Sequence, residues 1–180
     1  MPLSRTTADE RAHDLWGVEA SSTWRNHRAP HPDGDYLTQR TESIVGTWGT
    51  GPLQNETAED VLDSLVDMSL AERLATVGSL FRGAITGAEA GRLLVLPEEV
   101  IAGACVVAAS RAGVTTMPWL QDHPEIQDWL ADVPTGTVTD ARHALAVAAL
   151  ENEHYWSSWV DDADRAEARE ALDLLKAALS

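Results

Sequence analysis

Pro97-Glu98-Glu99-Val100-Ile101-Ala102-Gly103-Ala104-Cys105-Val106-Val107-Ala108-Ala109 opens like a helix and then offers water no polar face. Proline is tolerated in a first helical turn, where its missing N–H would have no partner anyway. Glu98 and Glu99 stand where the helix dipole favours anions. From Val100 to Ala109 the ten residues are apolar all round, so this helix must be central, enclosed by other elements. Ten residues is about half the length needed to span a bilayer. The enclosure is therefore protein.

The flanking sequence supplies helices to do the enclosing. Ser69-Leu70-Ala71-Glu72 has capping-box spacing and predicts a helix to about Thr86, with Leu70, Leu74, Val77 and Phe81 inward and Gly87 as its stop. Thr57-Ala58-Glu59-Asp60 resembles a second box ahead of Val61, Leu62, Leu65 and Val66. Pro124 opens a short helix ending near Ala131, which Pro134 and Gly136 break. Thr139-Asp140 begins another through Leu150 and on toward Trp159. After the charged junction Asp161 to Asp164, Ala166 to Leu179 forms a last helix with Ala168, Leu172, Leu175 and Leu179 on one face. No segment sustains the alternation of a half-buried strand. The expected class is all-α, an irregular bundle of five to seven helices.

Charge limits the partners. Thirteen Lys plus Arg oppose 29 Asp plus Glu, a net −16 over 180 residues. Nucleic acid, which needs clustered cations, is a poor partner, and anionic membranes are disfavoured alike. The single cysteine, Cys105, excludes an internal disulfide and suits a reducing cytoplasm. No basic segment followed by an apolar one opens the chain, so the expected location is cytoplasmic. Residues 1–43 hold five Arg and seven acids, net −2, and their aliphatics are only Leu3, Leu15, Val18 and Leu37. Such a segment cannot form its own core. Residues 1–44 therefore read as an N-terminal arm, partly extended, with one short helix after Thr7-Ala8-Asp9-Glu10. Residues 45–180 read as the helical domain; from residue 44 on, eight basic residues face 22 acids, net −14.

Between arm and helices lies Gly46-Thr47-Trp48-Gly49-Thr50-Gly51-Pro52-Leu53-Gln54-Asn55. Three glycines in this span imply positive φ or close backbone approach, and Pro52 directs the exit. Trp48 has no apolar neighbour within two positions and is expected to be buried among the helices. Asn55 is a candidate cap for the next helix, shared with Thr57. This stretch resembles the opening of the small bacterial proteins called the domain of unknown function 4259 family, typically Met-Gly-x-Trp-Gly-x-Gly-Pro-Phe-x-Asn-Asp followed by Ala-Ala-Asp. The chain is similar at Gly46, Trp48, Gly49, Gly51, Pro52, Asn55, Ala58 and Asp60. It departs at Leu53, Glu56 and Val61. The resemblance covers about residues 45–180 and implies no particular activity.

Motifs for chemistry are few. A phosphate cradle at the glycine loop is opposed by the lack of Lys or Arg between Arg40 and Arg73, and by Glu56, Glu59 and Asp60 at the helix start. Two Glu-x-x-His pairs, Glu10 with His13 and Glu151 with His154, have the spacing of di-iron bundles. No helix precedes Glu10 to supply the further carboxylate, so solvated helix faces are the better account. His27, His31, Asp33 and Asp35 lie in a proline-rich turn without fixed geometry. Cys105 reads as an inert core thiol. No nucleophile elbow, Walker loop or His-Glu-x-x-His occurs. The reading leans away from an enzyme and assigns no catalytic residue, metal or cofactor.

Two residue sets remain. The motif loop Gly46, Trp48, Gly49, Gly51, Pro52 and Asn55 is structural or binding. Tyr155, Trp156 and Trp159, beside Asp161 and Asp162, are candidates for binding a partner, because an aromatic ringed by carboxylates suits a basic surface. The leading expectation is a non-catalytic interaction module, immunity-like or antitoxin-like, that inhibits a basic protein. The alternative is a small-molecule-binding protein or enzyme with a pocket near the Trp48 loop that uses Asn55 and His154. A homo-oligomeric structural unit is the third reading.

Overall fold

The computed structural model describes residues 49–111 and 117–180. The expected arm, with Gly46 and Trp48, lies outside the described residues. Among those residues are six α-helices and no strand: α1 Glu56–Val66, α2 Leu70–Glu89, α3 Pro97–Ala109, α4 Thr135–Leu145, α5 Glu153–Ser157 and α6 Asp162–Ala178. Short 3-10 helices at Pro118–Gln121 and Pro124–Asp128 join α3 to α4, and a π-helical turn, Ala146–Leu150, extends α4. No described helix is long and apolar enough to cross a membrane.

The protein is all-α, and α3 is its axis. Every residue from Val100 to Ala109 is buried. It packs against α1, α2, α4 and α6. Those helices contribute Leu62 and Leu65 from α1, Val77 and Phe81 from α2, Ala144 and Leu145 from α4, and Ala168, Leu172 and Leu175 from α6. Leu179, just past α6, completes the expected stripe. Burial of a large aliphatic or aromatic side chain contributes about 1.5–3 kcal/mol, so this apolar set dominates the fold's stability.

Helix ends follow local chemistry. Ser69 and Glu72 form the expected capping box, each side chain taking the other residue's backbone N–H. At α1 the cap is Asn55 alone, whose Oδ1 accepts from Ala58 N at 2.8 Å. Thr57 lies inside the helix. Two arginines close C-termini from a distance. Arg73 donates from Nε to Leu65 O (2.8 Å) and from Nη2 to Val66 O (2.6 Å), with its guanidinium 5.0 Å from the Trp129 ring centroid. Arg111 donates from Nη1 to Ala178 O at 2.6 Å. Carbonyls at helix ends have no intrahelical partner, and these cations supply one.

Several boundaries differ from expectation. Helix α2 runs through Gly87 to Glu89, and Gly91, at φ 64°, makes the stop. Arg92 N bonds Gly87 O and Gly91 N bonds Ala88 O, the paired closure that needs a left-handed residue just past the helix. Leu70, at the exposed start of α2, points away from the core. The segment after Pro124 is a 3-10 helix ending at Asp128, short of Ala131. Helix α4 starts at Thr135, because Pro134 can cap a helix it could not sit within. Thr139 is not a cap: its hydroxyl donates back to Thr135 O at 3.0 Å. The helix does not continue to Trp159. It breaks at Glu151 and Asn152, where Asn152 Oδ1 accepts from His154 N and Tyr155 N and starts α5 afresh.

Candidate binding groove

The motif loop is tight for a different reason than a left-handed backbone. Neither Gly49 nor Gly51 has positive φ. Instead Gln54 folds back over both: its Oε1 accepts from Gly51 N at 3.0 Å, and a Cβ on either glycine would crowd the Gln54 side chain. Pro52 and Leu53 are buried beneath, and Asn55 begins α1. The loop thus fixes one rim of a groove of about 1300 Å³.

The opposite rim is the α5–α6 junction. Tyr155 and Trp159 line it with their rings edge-on, centroids 6.4 Å apart. Trp156 turns the other way. It is buried against the body, with Arg169 4.7 Å over its ring, so of the five candidate partner residues it belongs to the core. Asp161 caps α6, its Oδ1 accepting from Ala163 N and Asp164 N, and still faces the groove. Asp162 pairs with Arg165 and is absent from the lining. The structure therefore brings together Gly49, Gly51, Pro52 and Asn55 with Tyr155, Trp159 and Asp161, two sets read separately in the sequence.

A third wall went unrecognised in sequence. After the Gly91 turn, Leu93, Leu94, Val95 and Leu96 cross the groove's flank, and Leu93, Leu94 and Leu96 are 61%, 45% and 43% exposed. The signal was present: an apolar run outside any helical repeat has no face to hide. Val160, fully exposed, joins them, as do Val147 and Ala148 of the π-helical turn.

The groove's ionisable groups are mostly acidic: Glu98, Asp161 and Asp164 against Arg92 and His154. Burial, then the nearby Glu98 charge, pushes the Tyr155 phenol well above its ordinary value, so it stays neutral and protonated. Cys105 lies outside the groove, and burial raises its thiol too, which removes it as a nucleophile at neutral pH. Among the described residues, no group of three or more His, Cys, Asp or Glu is placed to hold a metal ion. Glu151 and His154 gain no such company. A separate contact, His123 Nε2 to Glu59 Oε1 at 3.4 Å and Nδ1 to Glu125 Oε1 at 3.6 Å, fastens the second 3-10 helix to α1. No sequence signal pointed to it.

No curated protein and no solved structure matches the chain. The family model described as Domain of unknown function (DUF4259) matches residues 46–173, a span that takes in the glycine loop, all three walls of the groove and helices α1 to α5. On that match the chain belongs to the DUF4259 family.

Proposed function

We propose that the protein is a non-catalytic interaction module whose acidic helical surface binds a basic protein partner, in the manner of an immunity protein or antitoxin. One observation carries this reading: the fold ties down half of its own cations and buries no carboxylate of the described part. Of the eight basic residues in the described part, Arg73 and Arg111 turn onto backbone carbonyls, Arg169 covers Trp156 and Arg165 pairs with Asp162. None of the carboxylates there is buried. The outward field is thus dominated by acids, which speeds encounter with a cationic target. The lone buried thiol suits a reducing compartment such as the cytoplasm.

The test is capture of partners by the full chain at low and moderate salt, followed by rebinding of the purified candidate. A basic protein held at low salt and weakened as salt rises is the expected result. Absence of any partner under both conditions sinks the reading.

A second reading has its own support. Asn55, His154 and Tyr155 all line the groove, and a small-molecule site needs a few polar groups of this kind in a concave, largely apolar wall. A melting shift with a metabolite, lost in His154→Ala, would favour it over the protein partner.

A further inference from the structure

We propose that the groove is the docking site for an amphipathic peptide segment of the basic partner, with aliphatic anchors flanked by Arg or Lys. The inference rests on the binding of a basic protein and adds where, and through which chemistry, it binds. Of the seven large hydrophobic residues exposed on the described surface, four line this one groove: Leu93, Leu94, Leu96 and Val160. Apolar side chains gathered in a concavity and rimmed by polar groups mark an interaction site, whereas scattered ones are ordinary. The rim fixes the sign of the ligand. Glu98, Asp161 and Asp164 border the apolar walls and outnumber the single arginine of the lining, Arg92. A segment that buried leucines there would bring its flanking cations against carboxylates.

Size and charge choose among occupants. At about 1300 Å³ the groove exceeds the roughly 300–1,000 Å³ of small-molecule clefts. A second copy would bring the same carboxylates to the interface in a chain of net charge −16, and so meets repulsion. The chain's own first 43 residues hold five Arg against seven acids, with no surplus of positive charge to match the rim. An outside cationic segment answers both the apolar walls and the acidic edge. The walls are also held in shape: the Gly91 turn anchors the leucine run, with a backbone bond from Arg92 to Gly87 at 2.9 Å, and the Asn152 cap sets the start of α5. A pre-formed groove binds a peptide without an ordering cost of its own.

The experiment uses the full chain and two labelled synthetic peptides of equal length. One carries Leu at i, i+3, i+4 and i+7 with Arg flanks; the other keeps the arginines and replaces each Leu by Ser. Titrations followed by fluorescence anisotropy should show the leucine peptide binding at least about tenfold more tightly than the serine peptide, a difference of about 1.4 kcal/mol. The exposed-site double variant Leu93→Asp/Val160→Asp should erase that preference while its circular dichroism and melting stay unchanged. Glu98→Gln/Asp164→Asn should weaken both peptides and flatten the salt dependence. Equal binding of the two peptides, or an undiminished preference in the Leu93/Val160 variant, overturns the groove assignment yet leaves binding to a basic protein elsewhere on the surface intact. No binding of either peptide at low salt also overturns it. A photo-crosslinker at Leu94 that joins a second copy, or residues 1–48 of the same chain, would name a different occupant and overturn it as well.

Discussion

Gly87 and Arg92 are bound to each other through backbone atoms, N to O at 2.9 Å, and a Cβ on Gly87 would stand 2.7 Å from the Arg92 carbonyl oxygen. The leucine wall of the groove hangs on this contact. In an open helical site Gly→Ala gains up to about 1 kcal/mol. Here the added carbon meets backbone, so Gly87→Ala should destabilise by about 2 kcal/mol, within the usual range for overpacking. Gly91→Ala should lose about 1 kcal/mol through its left-handed φ alone, since nothing lies within 4 Å. Gly136→Ala, in the first turn of α4 with open space around it, should be neutral or gain up to about 1 kcal/mol. Urea midpoints of the three variants check the ranking; a stabilised Gly87→Ala would contradict it.

Arg73 also donates from Nη1 to Trp129 O at 3.4 Å, across 56 residues of sequence. Its three contacts with Leu65 O, Val66 O and Trp129, made at one guanidinium, hold the end of α1 and the 3-10 region to α2. Lysine has one ammonium and no planar fork, so Arg73→Lys is not conservative. Its expected cost is about 1–2 kcal/mol, the loss of one or two charge-assisted hydrogen bonds and the ring contact. Loss of stability with unchanged near-ultraviolet dichroism from the tryptophans would argue against the proposed link.

Asn55 joins the groove to the core, as both its lining and the cap of α1. Asn55→Ala should cost about 1 kcal/mol by leaving Ala58 N without a partner. Asn55→Asp retains an accepting oxygen and should recover most of that loss. Equal melting of the two variants would mean that the side chain serves packing and not capping.

Stability should fall at both ends of the pH range, for different groups. Burial raises the folded values of Cys105 and Tyr155 above their ordinary 9.0 and 10.0. Their contribution is complete below those values. As pH rises past them the unfolded chain sheds protons that the folded chain keeps, and stability declines by up to about 1.4 kcal/mol per pH unit per group. Cys105→Ala should therefore lessen the slope from about pH 9 upward, measured by urea melts; an unchanged slope would refute the assignment. On the acid side Ser69 holds the Glu72 carboxyl below its ordinary value, through its hydroxyl first and its backbone N–H second. That contribution is present above the unfolded value and disappears as pH falls through the folded one. Ser69→Ala should shallow the acid limb.

Local patterns reported what local forces decide. The Ser69 and Glu72 pair names its helix start because both hydrogen bonds lie within one turn. The α6 stripe reads correctly because one face repeats every three or four residues. The end of α2 is ambiguous in sequence because Gly87 and Gly91 are the same residue type, and only the returning backbone at Arg92 makes the first a close-approach site and the second the turn. The break at Asn152 was likewise obscured: an asparagine inside an apolar repeat looks like a tolerated polar residue until its side chain is seen bonded to His154 N and Tyr155 N.

By itself the sequence determined the class and the axis. A helix apolar around its whole circumference has one stable place in water, inside others, and the surplus of carboxylates has one, outside. The groove belongs to the tertiary structure alone. Its walls come from the glycine loop, the run after Gly91 and the α5–α6 junction, which lie far apart along the chain and meet only because α1, α2, α4 and α6 pack on a shared α3. Concavity is a relation between distant surfaces, and no one-dimensional pattern carries it.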